Sequence, residues 1–176
     1  MSAAAIRLAR AEDQASISKL VARAFAATPY GHNGEADLVG ALHDDGHAVL
    51  ELVAEADGEI IGHILFSRMD VVADGVPIEA LALAPLSVSP AHQRHGIGSA
   101  LVDHAHAVLA ETPARLAFVL GDADYYERFG YSAQLARPFA SPYAGDAFMA
   151  LWLCDTLSVP DAGVAHHAPA FGRVGA

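Results

Sequence analysis

The chain has 176 residues, 53% of them hydrophobic, and a formal net charge of −11, which suits one domain with one sizeable core. One lysine against nine arginines and this acidic balance exclude a nucleic-acid groove, which needs a basic stripe. Mean hydropathy is positive, but much of the apolar share is alanine. Charges, histidines or prolines interrupt every stretch approaching 18 apolar residues, and the N-terminus lacks a basic-then-apolar leader; no membrane contact and a cytoplasmic location are therefore expected.

In chain order, Ile6–Leu8 reads as a first strand, and acidic Glu12–Asp13 opens a helix. Ile17, Leu20, Val21 and Ala24 form its stripe, and Thr28–Pro29 stops it. Phe25 reads as core. Residues 29–34 form a loop, and Glu35–Leu42 a second helix. Val49–Ala56 and Glu59–Met69 flank Asp57–Gly58, the pattern of a two-residue hairpin. Asp74–Gly75 turns the chain again into a strand over Pro77–Val88.

That strand carries an irregularity. Its larger aliphatic residues fall at Leu81 and Leu83, then at Leu86 and Val88, so the alternation changes parity across Ala84–Pro85. A proline cannot donate to a ladder, and Pro85 reads as a β-bulge that parts the strand from its neighbour. Such a split frees backbone groups of Leu86, Ser87 and Val88 for an extended, amide-bearing ligand that pairs as a false strand.

A glycine turn follows, Gln93-Arg94-His95-Gly96-Ile97-Gly98, and then a helix with Ser99 in its first turn. The first N–H groups of a helix have no intrahelical carbonyl, and glycines let a ligand approach the main chain, so the turn is a candidate anion cradle. Arg94 and His95 could add charge-assisted bonds to a pyrophosphate. Coenzyme A has the required shape. Ile97, Ala100, Leu101, His104, Ala105, Val108 and Leu109 form the helix stripe, which turns His104 inward and His106 outward.

Leu116–Leu120 supplies a parallel strand, making a strand–helix–strand crossover. Gly121–Asp122 turns into a short helix over Ala123–Phe129. Gly130–Leu135 and Phe148–Leu153 read as an antiparallel pair, and the tail over Asp161–Phe171 as an added edge strand. With no repeat or linker, the expectation is a single domain over 1–176, its core at about 5–155 and 156–176 a C-terminal extension. Cys154, taken with the strand-like run Ala147–Leu153 as part of it, cannot form an internal disulfide and reads as a buried, inert thiol.

Other patterns carry less. His92-x-x-His95 and His104-x-His106 lack a cysteine or carboxylate set, so no metal is expected. The third position of a dinucleotide fingerprint falls on Leu101, and no acidic residue follows at the required distance. Ser87 and Ser89 have no triad partners that the sequence identifies.

Taken together, the motifs resemble the Gcn5-related N-acetyltransferases (GNAT), whose acyl-CoA motif is Gln/Arg-x-x-Gly-x-Gly/Ala after such a strand. Residues 93–98 fit it fully, and Tyr126-Glu127-Arg128-Phe129-Gly130-Tyr131 is similar to the family's Tyr-x-x-x-Gly-Phe. Leu83-Ala84-Pro85-Leu86-Ser87-Val88 with Phe118-Val119-Leu120-Gly121-Asp122 resembles the bacterial YhbS-like branch. The resemblance implies an α/β fold, a mixed sheet with a bulged, splayed central strand pair and flanking helices. It implies an N-acetyltransferase using acetyl-CoA as donor, with Leu86, Ser87, Val88, Gln93, Arg94, His95, Gly96, Ile97, Gly98, Ser99 and Tyr126 at the cofactor. The first helical pair then overlies the acceptor site, where Phe25, Tyr30 and Glu35 would shape substrate choice. Unlike many relatives, this chain has no asparagine between the fifth strand and Tyr126.

Acyl transfer to an amine has three needs: a donor to the developing oxyanion, a partner for the leaving thiolate and a base for the ammonium. Backbone N–H groups at Leu86, Ser87 or Val88 suit the first. Tyr126 suits the second, since a phenol of pKa about 10 can hydrogen-bond a thiolate whose thiol pKa is about 8.5. Glu79 and Asp122 are the candidates for the third. The expected partner is a small-molecule or peptide amine; a homodimer is compatible with the sequence, which does not set the oligomeric state. The rival reading is a non-catalytic acyl-CoA sensor, which needs neither base nor acid.

Overall fold

A computed structural model describes residues 4–28, 34–155 and 158–174; Tyr30 and most of the loop expected at 29–34 lie outside them. The strands are β1 (Ala5–Leu8), β2 (Ala48–Ala56), β3 (Glu59–Ala73), β4 (Val76–Val88), β5 (Leu116–Leu120), β6 (Phe139–Ala140), β7 (Phe148–Trp152) and β8 (Gly163–His166). Three longer helices, α1 (Gln14–Ala26), α2 (Glu35–Asp44) and α3 (Ile97–Leu109), accompany the single-turn α4 (Ala123–Tyr126), α5 (Ala133–Ala136) and α6 (Ala170–Arg173). None of the described helices is long and apolar enough to cross a membrane. The described residues gather into two compact units, those within 1–66, 85–105 and 169–176 in one and those within 67–84 and 106–168 in the other. Both contain parts of β3, β4 and α3.

In the first unit β1 pairs antiparallel with β2, which neighbours β3. Asp57 and Gly58 at the β2–β3 turn both have positive φ, 51° and 80°, the geometry that an Asp-Gly hairpin favours. The expected stripe of α1 is buried, as are Leu38, Val39 and Leu42 of α2. Phe25, by contrast, is half-buried rather than core, because it stands beside the stripe and not on it. Arg7 on β1 ties the unit's start together, reaching Asp13 at 2.7 Å and Glu55 of β2 at 2.7 Å.

In the second unit β4 runs parallel to β5, Ala80 opposite Leu116 through Leu83 opposite Val119, and β5 runs antiparallel to β7. Phe118 stacks on Phe148 at 5.1 Å and meets Phe139 edge-on at 5.2 Å, filling this unit's core with aromatic area. The tail does add a strand, β8, antiparallel to β3 and parallel to β6.

Three expectations are corrected here. Residues 130–135 are not a strand: only Ser132 bridges to Ala150, and Ser132 Oγ caps α5 by accepting from Gln134 N at 3.2 Å, because Ala-Gln-Leu-Ala favours a helical turn once capped. Cys154 lies past the end of β7 and is half-buried. Along α3, His104 is exposed and His106 half-buried; the buried line is Leu101, Val102, Ala105 and Leu109, rotated from the stripe expected.

β4 carries the predicted irregularity. Asp74 and Gly75 have φ of 49° and 81°, a two-residue turn closing Ala73 against Val76. Unbroken register from that turn would place Val88 N on Ile61 O, but the bond to Ile61 O comes from Ser89 N, at 2.8 Å. β4 therefore holds one residue more than β3 over this span, the insertion that the parity change at Ala84–Pro85 announces. Its ladder with β5 ends at Leu83, while β4 itself runs on to Val88.

Candidate active site

Beyond the insertion, Pro85 and Ser87 are buried and Leu86 and Val88 half-exposed, as alternation along a strand requires. The chain then leaves β4 through a short 3₁₀ turn at Pro90–His92 and enters the glycine turn. Arg94 and Gly96 both adopt left-handed backbone, φ 60° and 81°. Gln93 Nε2 donates to Val88 O at 3.1 Å, tying the turn back to β4. His95 Nδ1 donates to Gln93 O at 2.8 Å; because a carbonyl only accepts, this bond fixes the His95 tautomer with Nε2 outward.

The first intrahelical bond of α3 is Ala100 N to Gly96 O, 2.9 Å. Consequently the N–H groups of Ile97, Gly98 and Ser99 have no carbonyl one turn back, and the positive end of the helix dipole lies at the turn. Gln93, Arg94, His95 and Gly96 are exposed around it, a donor set suited to phosphate oxygens. All of these residues, with Leu86, Ser87 and Val88, belong to the first unit. A cavity of about 330 Å³ opens beside them, lined in part by Ala54, Ile61, His92, His95, Gly96 and Ile97.

Gly62 of β3 fixes the depth of this helix. A Cβ there would stand 2.9 Å from both Ile97 Cγ2 and Leu101 Cδ1 and 3.2 Å from Ala54 Cβ, so only glycine lets α3 settle on the strand. An isolated glycine within a β-rich run signals such a close approach.

The second unit holds Tyr126 and Asp122. Asp122 caps α4, its Oδ1 accepting from Asp124 N at 3.0 Å. Tyr126, at the end of α4, lies against Gly121, where a Cβ would be 2.6 Å from Tyr126 Cε2. Tyr125 and Tyr131 meet this ring edge-on at 5.0 and 5.9 Å. Burial, then the neighbouring Tyr125 and Asp122, push the Tyr126 hydroxyl above the ordinary phenol range, so it stays protonated. Tyr131 OH is within 3.1 Å of His106 Nε2, a pairing that the outward placement of His106 had hidden.

Glu79 stands elsewhere. Its carbonyl accepts from Arg115 N at 2.8 Å, at the start of β5, whereas Asp122 follows that strand's end. Seven residues of extended chain amount to roughly 23 Å, so Glu79 cannot act together with Tyr126. Glu35 opens α2, its carboxylate accepting from Gly34 N at 3.2 Å. Among the described residues no group of three or more His, Cys, Asp or Glu is placed to hold a metal ion.

The mixed sheet, the inserted residue in β4 and the glycine turn feeding α3 define an acetyltransferase of the GNAT type. Residues 5–133 match the acetyltransferase (GNAT) domain, and the chain belongs to that family of N-acetyltransferases. It is 33% identical over 150 residues to the uncharacterized N-acetyltransferase YjhQ of Escherichia coli K12, covering 83% of this chain and 80% of that one. The E. coli GNAT N-acetyltransferase YhbS, solved in complex with CoA, superposes with a TM-score of 0.85 at 29% identity, over 98% of this chain and 94% of that one. A GNAT acetyltransferase from Brucella melitensis, in complex with acetyl-CoA, gives 0.77 at 33% identity, over 96% and 97%.

Proposed function

We propose that this protein transfers an acetyl group from acetyl-CoA to a primary amine by direct attack. The observation that carries the reading is the turn of Arg94 and Gly96, which presents the unpaired N–H groups of Ile97, Gly98 and Ser99 beside the strand segment Leu86–Val88. The two similar structures solved with CoA and acetyl-CoA support it. When bound, acetyl-CoA would supply a thioester carbonyl carbon open to an amine.

The roles of this chain's residues follow from their chemistry. Leu86, Ser87 and Val88 would pair with the pantetheine arm as with a strand, and a main-chain N–H among them would meet the developing oxyanion. Gln93, Arg94, His95, Gly96, Ile97, Gly98 and Ser99 would hold the pyrophosphate. Tyr126 would donate a hydrogen bond to the leaving thiolate. Its raised pKa disfavours outright proton transfer to a group whose conjugate acid has pKa about 8.5, so it stabilises the thiolate rather than neutralising it. Asp122, committed to capping α4, is the remaining carboxylate of the two expected as base.

Calorimetric titration with acetyl-CoA tests the donor, beside Gly96→Asp, which puts a carboxylate in the phosphate turn. Micromolar binding lost in the variant supports the reading; no binding by the unmodified protein defeats it. A panel of primary amines, followed by release of free thiol, then finds the acceptor. Tyr126→Phe separates enzyme from sensor: turnover falls with acetyl-CoA affinity kept, whereas a sensor has no turnover to lose.

A further inference from the structure

A second set of polar groups lies in the first unit, on the face of β3 away from α3. Gly62 faces Ile97 and Leu101, so its neighbour His63 projects from the opposite face. There His63 Nε2 is 2.7 Å from Glu51 Oε1 of β2. Glu51 Oε2 is 2.8 Å from His43 Nε2 of α2 and accepts from Gln14 Nε2 of α1 at 3.0 Å. The His63 side chain is fully buried and that of Glu51 8% exposed. Burial opposes charge on Glu51, but the His63 hydrogen bond, with His43 and Gln14 behind, holds its carboxyl below the usual range.

A carboxylate only accepts, so His63 Nε2 carries a proton, and in the neutral form of the ring the lone pair is on Nδ1. That Nδ1 is buried with no hydrogen-bond partner, and so is Ser87 Oγ on β4. Strand register sets the two residues side by side, their polar atoms not bonded to each other. Because Ser89 N bonds Ile61 O, the antiparallel register two residues further in sets Ser87 opposite His63. Directly opposed residues project on one face with Cβ atoms about 5 Å apart. Leaving two polar atoms unpaired in a core is unfavourable, and here one is a base and the other a hydroxyl.

The next step rests on the acetyl-CoA reading. A donor paired beside Leu86–Val88 as a false strand has two faces, as a sheet does, and the buried Ser87 and His63 lie on the face turned to α1 and α2. We propose that Ser87, His63 and Glu51 carry away the proton of the attacking amine. The N–H bond of the bound ammonium breaks as its proton passes to Ser87 Oγ, whose own proton passes to His63 Nδ1. The nitrogen keeps the electron pair for its bond to the acetyl carbon, and His63 becomes an imidazolium against the Glu51 carboxylate. His43, with a side chain 36% exposed, brings this pair to solvent, where the proton is returned. Glu51 from β2, His43 from α2, Gln14 from α1 and Ser87 from β4 are the polar groups set around His63, and only the first two titrate.

Nitrogen-15 NMR of the imidazoles, in the full chain with acetyl-CoA, reads the arrangement without an acceptor. His63 should show protonated Nε2 and bare Nδ1 near neutral pH, a preference lost in Glu51→Gln; a proton on Nδ1 overturns the proposal. With the amine that the panel identifies, Ser87→Ala, a small change that keeps the core, and His63→Gln should lower kcat on the order of 100-fold near neutral pH. KM for acetyl-CoA should stay constant, and the loss should shrink as pH approaches the amine's own pKa. Full turnover by Ser87→Ala defeats the relay alone. Absence of acetyl-CoA binding by the unmodified protein defeats instead the donor reading beneath it.

Discussion

The ring of Tyr126 lies on the main chain of Gly121, so close that a Cβ at residue 121 would be 2.6 Å from Tyr126 Cε2. Tyr125 and Tyr131 stand edge-on to this ring. Gly121→Ala should therefore displace the hydroxyl, lowering turnover on the order of 10- to 100-fold and stability by about 1–3 kcal/mol. Thiol-release kinetics and urea unfolding measure the two effects; an unchanged kcat would show that the phenol's position does not matter.

Gly62→Ala acts on the other unit. Its Cβ meets Ile97 and Leu101 at 2.9 Å, and Leu101 is fully buried, so α3 must move outward. A loss of about 1–3 kcal/mol is expected, together with weaker acetyl-CoA binding, because Ile97 contributes one of the free N–H groups. Calorimetry and thermal unfolding on the same sample check both.

The glycine turn separates conformational strain from crowding. An added Cβ at Gly96 touches nothing within 4 Å, so Gly96→Ala should cost only the left-handed backbone penalty, about 1–2 kcal/mol. Arg94, itself at φ 60°, gives the converse: Arg94→Gly should leave stability within about 0.5 kcal/mol while weakening acetyl-CoA binding, and the weakening should fade at high salt. Unfolding midpoints and salt-dependent titrations distinguish the two variants.

Acid stability should depend on Asp13. The Arg7 hydrogen bond outweighs burial and holds its carboxyl at about 2, below the unfolded value of about 3.9. A depressed carboxylate contributes stability that is present in full above the unfolded value and is lost as pH falls through the folded one. Between pH 5 and 2, then, the unmodified chain should lose more stability than Asp13→Asn, and the two curves should converge at the acid end. Parallel curves from denaturant unfolding would contradict the role given to Arg7.

Much of this was legible residue by residue. Asp57–Gly58 and Asp74–Gly75 announced their turns because few other pairs tolerate two positive φ values. The parity change at Ala84–Pro85 announced the extra residue in β4 because a strand's faces alternate strictly. The stripe of α3 was harder. Alanines and histidines differ too little in hydropathy to centre a helix face, so Val102 was missed and the burial of His104 and His106 was exchanged. Residues 130–135 looked like a strand until Ser132 was seen to cap a helical turn, and Glu79 appeared near the site until the β4–β5 ladder put it beside Arg115.

What the sequence determined by itself is the local set: the hairpin turns, the glycine turn, the proline irregularity and the helix that follows, each fixed by the backbone preferences of adjacent residues. The tertiary structure decided which distant groups meet. Glu51, His63 and Ser87 stand on three strands, and His43 and Gln14 on two helices. Nothing in their spacing along the chain brings them together, because strand register and helix packing, long-range in sequence, set those distances.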